Sequence, residues 1–185
     1  MSGKVCLVTG ASAGIGKVAA TALAARGAQV VITGRNPHKT RDTAEQIKTE
    51  TGNRSVQHLL ADFSDLQQVR QLAVDFKERY VHLDVLLNNA GAYYNNRRPT
   101  SLGVEMTFLV NHLASFLLTT QLLDVIRSSA PARIVNVAST AGKRPSTGMP
   151  DYTVTKAAVL SLSRLVADLE AKHGVLCNAI APGPS

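Results

Sequence analysis

Apolar residues along this chain fall into runs of two alternating lengths. Short β-branched runs read as strands: Val5 to Thr9, Gln29 to Thr33, Val56 to Ala61, Val85 to Asn88, Arg133 to Ala138 and Val175 to Ile180. The longer amphipathic stretches between them read as helices: Ile15 to Arg26, Pro37 to Thr51, Leu66 to Tyr80, Leu102 to Ser128 and Tyr152 to His173. Several carry their own punctuation. Asn36 stands as an N-cap before Pro37 at the first helical position, and Gly27, Gly52 and Gly174 stand where helices should stop. Strands that alternate with helices pair in parallel through crossovers, which lay helices on both faces of the sheet, so the pattern predicts a doubly wound α/β fold. The polar stretch from Tyr93 to Ser101 reads as one loop, an ordinary solvated one in preference to the alternative that Tyr93, Tyr94, Asn95, Asn96, Arg97 and Arg98 contact a substrate.

Composition narrows the function classes. A chain of 185 residues is one domain by size, and 45% hydrophobic against 18% charged residues supplies a sizeable core. No apolar run approaches the roughly 20 residues of a membrane span, and MSGKVCLVTG enters a strand without a signal-peptide pattern. The expectation is a cytoplasmic protein with no membrane span. Cys6 and Cys177 lie in strand-like runs and read as reduced, buried thiols rather than a disulfide, a metal site or a nucleophile. The net charge of +7 suits an anionic ligand, yet the basic residues are scattered and aromatics make up only 4%, which argues against nucleic acid. His38, His58, His82, His112 and His173 lack metal-ligand spacing, and no metal is expected.

Two turns point to a nucleotide. TGASAGIG, from Thr9 to Gly16, follows the first strand and opens the first helix. There Gly10 permits a tight turn, Gly14 lets backbone approach a pyrophosphate, and Gly16 allows close helix packing. The helix N-terminus adds unpaired N–H groups and a positive dipole end. Its spacing, GxxxGxG, differs from GxGxxG, so taken alone it also reads as an ordinary glycine-rich turn. Second, TGRN closes the second strand with Gly34 and Arg35, where an acidic residue would hold a ribose 2′-hydroxyl. A guanidinium there suits a 2′-phosphate and favours NADP(H) over NAD(H); the alternative is a solvated surface arginine.

Chemistry concentrates in YTVTK, from Tyr152 to Lys156, whose phenol and ammonium share a helix face by i, i+4 spacing. At roughly 5 Å and an effective dielectric of about 20, that ammonium favours the phenolate by ~3 kcal/mol. A phenol so placed is suited to general acid/base work. Ser139, closing the run RIVNVAS, would deliver its hydroxyl to the same sheet edge. Alone, the YxxxK spacing also fits an exposed Tyr and Lys on an amphipathic helix.

TGASAGIG, the NNAG of Asn88 to Gly91, Asn111, Ser139, YTVTK and the closing APG of Ala181 to Gly183 occur in the order and spacing of the short-chain dehydrogenase/reductase family, which the whole chain resembles. The resemblance implies a Rossmann fold, a three-layer α/β/α doubly wound parallel sheet, carrying an NAD(P)-dependent oxidoreductase with an Asn111–Ser139–Tyr152–Lys156 tetrad. In this reading Ser139 hydrogen-bonds a carbonyl oxygen, Tyr152 protonates it as hydride arrives, Lys156 also holds the nicotinamide ribose, and Asn111 kinks its helix and holds a water against the lysine. Cofactor contacts implied by the match are Gly10, Ser12, Ala13, Gly14, Ile15 and Gly16 in the first turn, Arg35, Asp62 with Phe63 near the adenine, Asn89, Ala90 and Gly91 along the adenosine, and Pro182 with Gly183 near the nicotinamide.

Residues 1–137 resemble retinol-dehydrogenase-like members through TGR, VNHLASFLLTTQLLD and SAPARIVNVAS, whereas the short STAGKRPSTGMPDY is closer to 3-oxoacyl-carrier-protein reductases. The family pattern implies roughly 60 more residues after Gly183, so a lid and a seventh strand are expected to be missing and Val175 to Ile180 to be an uncovered edge. It also implies a small carbonyl or alcohol substrate, and a homodimer or homotetramer through the helices starting near Leu102 and Tyr152. The apolar residues counted toward that pairing are Val110, Leu113, Phe116, Leu117 and Leu118 on the first, with Ala157, Val159, Leu160, Leu162, Leu165 and Val166 on the second. The competing function is an NADP-binding or interaction module that keeps the fold without the chemistry.

Overall fold

A computed structural model of the chain describes residues 1–183. Six strands, β1 (Val5–Val8), β2 (Gln29–Gly34), β3 (Val56–Leu60), β4 (Val85–Asn88), β5 (Ala132–Val137) and β6 (Val175–Ile180), form one sheet in the order β3-β2-β1-β4-β5-β6. Every pairing is parallel. Along β1 the side chains alternate between faces: Val5 and Leu7 enter one core, Cys6 and Val8 the other. The helices α1 (Gly14–Ala25) and α2 (Pro37–Thr51) cover the Cys6 face. On the Leu7 face lie α3 (Leu66–Arg79) and a long rod made of α4 (Met106–Phe108), a π-helical turn (Leu109–Leu113) and α5 (Ala114–Ser128). A last helix, α6 (Pro150–Glu170), adds Val166 and Ala167 to that side. Leu72, Phe76, Leu118, Leu122 and Ile126 are fully buried there, and truncating any of these leucines to Ala should cost about 2–5 kcal/mol.

Local punctuation explains the boundaries. Asn36 Oδ1 accepts the Lys39 N–H at 2.9 Å to start α2, and Gly52, at φ 68°, ends it in the left-handed region. Asp65 caps α3 by accepting the Gln67 N–H at 2.9 Å. The rod starts at Met106 rather than Leu102, because Thr100–Val104 close a turn on themselves and Glu105 supplies the cap to the Thr107 and Phe108 N–H groups. The last helix starts at Pro150 and tightens into a 3₁₀ turn over Ala171–His173. Arg127 grips buried Glu170 through two 2.7 Å bonds, tying α5 to α6.

The rod Met106–Ser128 holds an 18-residue window of mean hydropathy 1.4, long and apolar enough to cross a membrane by length and composition; half of that window is buried, as in a core helix. Of the residues expected to pair with a second copy, Val110, Leu118 and Val159 are buried in this chain's own core. Among the described residues, β6 pairs only with β5, and Leu176 and Ile180 are exposed.

Candidate active site

The strand order reverses between β1 and β4, and a cleft of about 990 Å³ opens there across the C-terminal strand ends. Each strand delivers predicted residues to it. After β1 come Gly10, Ser12, Ala13, Gly14 and Ile15; after β2, Arg35; after β3, Asp62 and Phe63; after β4, Asn89, Ala90 and Gly91; after β5, Ser139; after β6, Pro182 and Gly183. Tyr152 and Lys156, on the first turns of α6, complete the wall. Gly16 and Asn111 do not border the cleft: each lies behind it and shapes it.

The first turn is a cradle that side chains would fill. Gly10 has φ 63°, and a Cβ there would fall 2.7 Å from the Ala90 Cα. A Cβ on Gly16 would collide with Asn89 Nδ2, the atom that donates to the Thr9 and Gly10 carbonyls at 2.9 and 3.1 Å. Asn89 therefore braces the turn as well as lining the cleft. No side chain caps α1, which leaves its first N–H groups facing the cleft. This geometry fits the diphosphate of a dinucleotide. Asp62 has one carboxylate oxygen engaged with the N–H and hydroxyl of Ser64, at 2.9 and 2.8 Å.

At the opposite end, Lys156 is only 4% exposed. Its Nζ donates to the Val137 carbonyl at 2.8 Å and lies 5.5 Å from the centre of the Tyr152 ring. Burial pushes the ammonium down from its ordinary 10.5 to about 8. Ser139 caps the 3₁₀ turn Thr140–Gly142 by accepting the Ala141 N–H at 3.2 Å, so its hydroxyl proton is still available to donate outward. That turn packs directly on α6: a Cβ on Gly142 would lie 2.7 Å from the Lys156 carbonyl carbon.

Asn111 sits inside the π turn, a common device at functional sites. Its Oδ1 accepts the Ala92 N–H at 2.7 Å, and its Nδ2 donates to the Ala92 carbonyl at 2.9 Å and to Thr155 Oγ1 at 3.1 Å. Thus its amide clamps the loop after β4 to the helix that carries Tyr152 and Lys156. Beneath it runs a buried polar chain, Thr119–Asn88–Asn136–Ser163, which also reaches Cys177 Sγ. Asn88 Oδ1 and His112 Nδ1 are left without partners beside a void of about 10 Å³ that their residues line, about the size of one water. Burial lowers the His112 pKa and raises the Cys6 and Cys177 thiols to about 12 and 11, which makes both cysteines inert.

Sequence reasoning missed part of the wall. Tyr93, Tyr94, Thr140, Ala141 and Met149 all border the cleft. For Tyr93 and Tyr94 the sequence favours a solvated loop over a substrate contact, and the structure places both tyrosines on the cleft wall.

Fold and cleft together define a doubly wound nucleotide-binding domain with its site at the strand-order switch. The chain belongs to the short-chain dehydrogenase family: the family model "short chain dehydrogenase" matches residues 4–185. It is 46% identical over 141 residues to human retinol dehydrogenase 11, covering 76% of this chain and 44% of that protein. Human retinol dehydrogenase 12 is 38% identical, over 99% of this chain and 62% of the relative. The chain therefore spans less than two thirds of the length of these relatives. Among solved structures, the Pseudomonas aeruginosa RhlG/NADP active-site complex superposes with a TM-score of 0.90 at 34% identity, over 100% of this chain and 74% of that one. L-Sorbose reductase from Gluconobacter frateurii, complexed with NADPH and L-sorbose, gives 0.89 at 28% identity, over 99% and 70%.

Proposed function

We propose that this chain carries the catalytic domain of an NADP(H)-dependent oxidoreductase that interconverts a carbonyl and a secondary alcohol. The observation that carries the reading is that Ser139, Tyr152 and Lys156 border one end of the same cleft whose other end has the glycine cradle and Arg35. The bound nicotinamide would supply or accept the hydride. In the reducing direction, Ser139 donates a hydrogen bond to the substrate oxygen and Tyr152 gives it a proton. The Lys156 ammonium favours the phenolate that remains. Each interaction strengthens as negative charge develops on oxygen, which is what lowers a barrier. Asn111 acts by holding Ala92 and Thr155, and so the two walls, in place.

Arg35, exposed at the end of β2, supports NADP(H) over NAD(H) through a 2′-phosphate contact. The NADP and NADPH complexes among the similar structures support the same cofactor. The two buried free thiols fit a reducing, cytoplasmic compartment. A second copy of the chain fits the exposed apolar residues of α6, where Val154, Leu165 and Leu169 are 60%, 55% and 55% exposed.

The test is NADPH oxidation with a panel of ketones and aldehydes, beside NADPH and NADH binding by fluorescence titration. Carbonyl-dependent oxidation is expected. Binding without turnover for any carbonyl would leave a nucleotide-binding module in its place.

A further inference from the structure

Tyr93 is held at both ends across the mouth of the cleft. On its backbone side, the adjacent Ala92 is clamped through both N–H and carbonyl by Asn111. At its tip, the Tyr93 hydroxyl donates to the Gly148 carbonyl at 3.2 Å. Gly148 does not belong to a loose loop: the Met149 N–H returns to the Ser146 carbonyl, and the Ser146 N–H bonds Thr153 Oγ1 in the first turn of α6. Between its two anchors the Tyr93 ring meets the Tyr152 ring edge-on, with centroids 5.9 Å apart and planes at 78°. Yet Tyr93 is 40% exposed, so it stands where an incoming molecule first meets the site.

We propose that Tyr93 is a positioning and specificity-determining residue: it spans the substrate end of the cleft from the loop after β4 to the start of α6, fixes the Tyr152 ring, and limits the width of substrate that can reach it. This rests on the oxidoreductase reading above. Two consequences separate by atom. The Tyr93 hydroxyl closes the strap on Gly148 and governs admission of bulky groups. The Tyr93 ring supports Tyr152 and governs the chemical step for every substrate, because a small misplacement of a proton donor lowers rate steeply.

The test uses the full chain with Tyr93→Phe and Tyr93→Ala, measuring kcat and KM for NADPH-driven reduction of a series from small aliphatic to aryl ketones. NADPH affinity is titrated separately. Tyr93→Phe is expected to hold kcat for small ketones within twofold and to lower KM for the bulky ones at least fivefold. Tyr93→Ala is expected to lower kcat at least tenfold across the series, with NADPH affinity within twofold of the parent. If the parent is active and both variants match it, or KM for all ketones and NADPH affinity shift together, Tyr93 is no more than a structural contact and the proposal is overturned. A parent that binds NADPH and reduces no ketone overturns the underlying reading and this proposal with it.

Discussion

The Lys156 ammonium lies 5.5 Å from the centre of the Tyr152 ring, while its hydrogen bond goes to the Val137 carbonyl at the end of β5. Strand, helix and phenol are thus coupled through a charge that has lost most of its water. That burial lowers the group from 10.5 to about 8. Below pH 8 both folded and unfolded chains carry the proton, and the folded state bears the full desolvation cost. Between about 8 and 10.5 the unfolded chain binds more protons, so this group's contribution to stability rises with pH. Lys156→Met removes the cost. Its stability relative to the parent should be most favourable below pH 8 and decline by about 3 kcal/mol by pH 10.5, read from urea melts at the two pH values. A difference independent of pH would mean the ammonium is not desolvated.

Activity should follow the same titration. In the proposed mechanism Lys156 acts as an ammonium, so kcat/KM for NADPH should fall as pH rises through about 8, where that charge is lost. Tyr152→Phe isolates the proton transfer itself. It should lower carbonyl reduction by ~10² to 10⁴ while NADPH binding stays nearly intact. A rate within threefold of the parent's would remove Tyr152 from the role of general acid.

Much of this site was legible because its residues announce themselves locally. Glycines mark the turn after β1, the guanidinium of Arg35 marks the end of β2, and an i, i+4 pair marks the face of α6. What stayed hidden depends on contacts between distant segments. Nothing near Gly142 in sequence says that its missing Cβ lets the Ser139 turn rest on Lys156. The double grip of Asn111 on Ala92 needs the π turn, and a helical periodicity over Leu102 to Ser128 cannot reveal one wider turn. The start of that rod was misread because hydrophobic Leu102 and Val104 continue the pattern, whereas the capping carboxylate of Glu105 decides it. Tyr93 reads as loop until its partner across the cleft is known.

Arg35 offers a test of cofactor choice. It borders the cleft at the end of β2, beside Gly34, whose absent side chain leaves room that Thr40 Oγ1 and Ser12 occupy. A charge-assisted contact to a 2′-phosphate is worth ~1.5 to 3 kcal/mol, so Arg35→Ala should weaken NADPH binding roughly 10- to 100-fold and leave NADH binding unchanged. Equal affinities for the two cofactors in the parent would show that Arg35 reads nothing.

The contact between the Ser139 turn and α6 is the most exposed to a single methyl group. A Cβ on Gly142 would stand 2.7, 2.8 and 2.9 Å from the carbonyl carbon and oxygen of Lys156 and the nitrogen of Ala157, all backbone atoms that cannot swing aside. Gly142→Ala must therefore lift the 3₁₀ turn away from α6, and Ser139, its cap, moves with it. Overpacking of this kind costs about 1–3 kcal/mol. The melting temperature should fall by roughly 2–4 °C for each kcal/mol at this chain length. Gly148→Ala is the stability control, since its added Cβ meets only Ser146 Oγ at 3.8 Å and should leave the melt unchanged. In Gly142→Ala, kcat should drop at least tenfold, because the proposed mechanism needs the Ser139 hydroxyl and the Tyr152 phenol to act on one oxygen. A Gly142→Ala protein with the parent's melting temperature and kcat would mean that the turn and α6 do not touch at these distances, and that the placement of the turn does not govern the proposed role of Ser139.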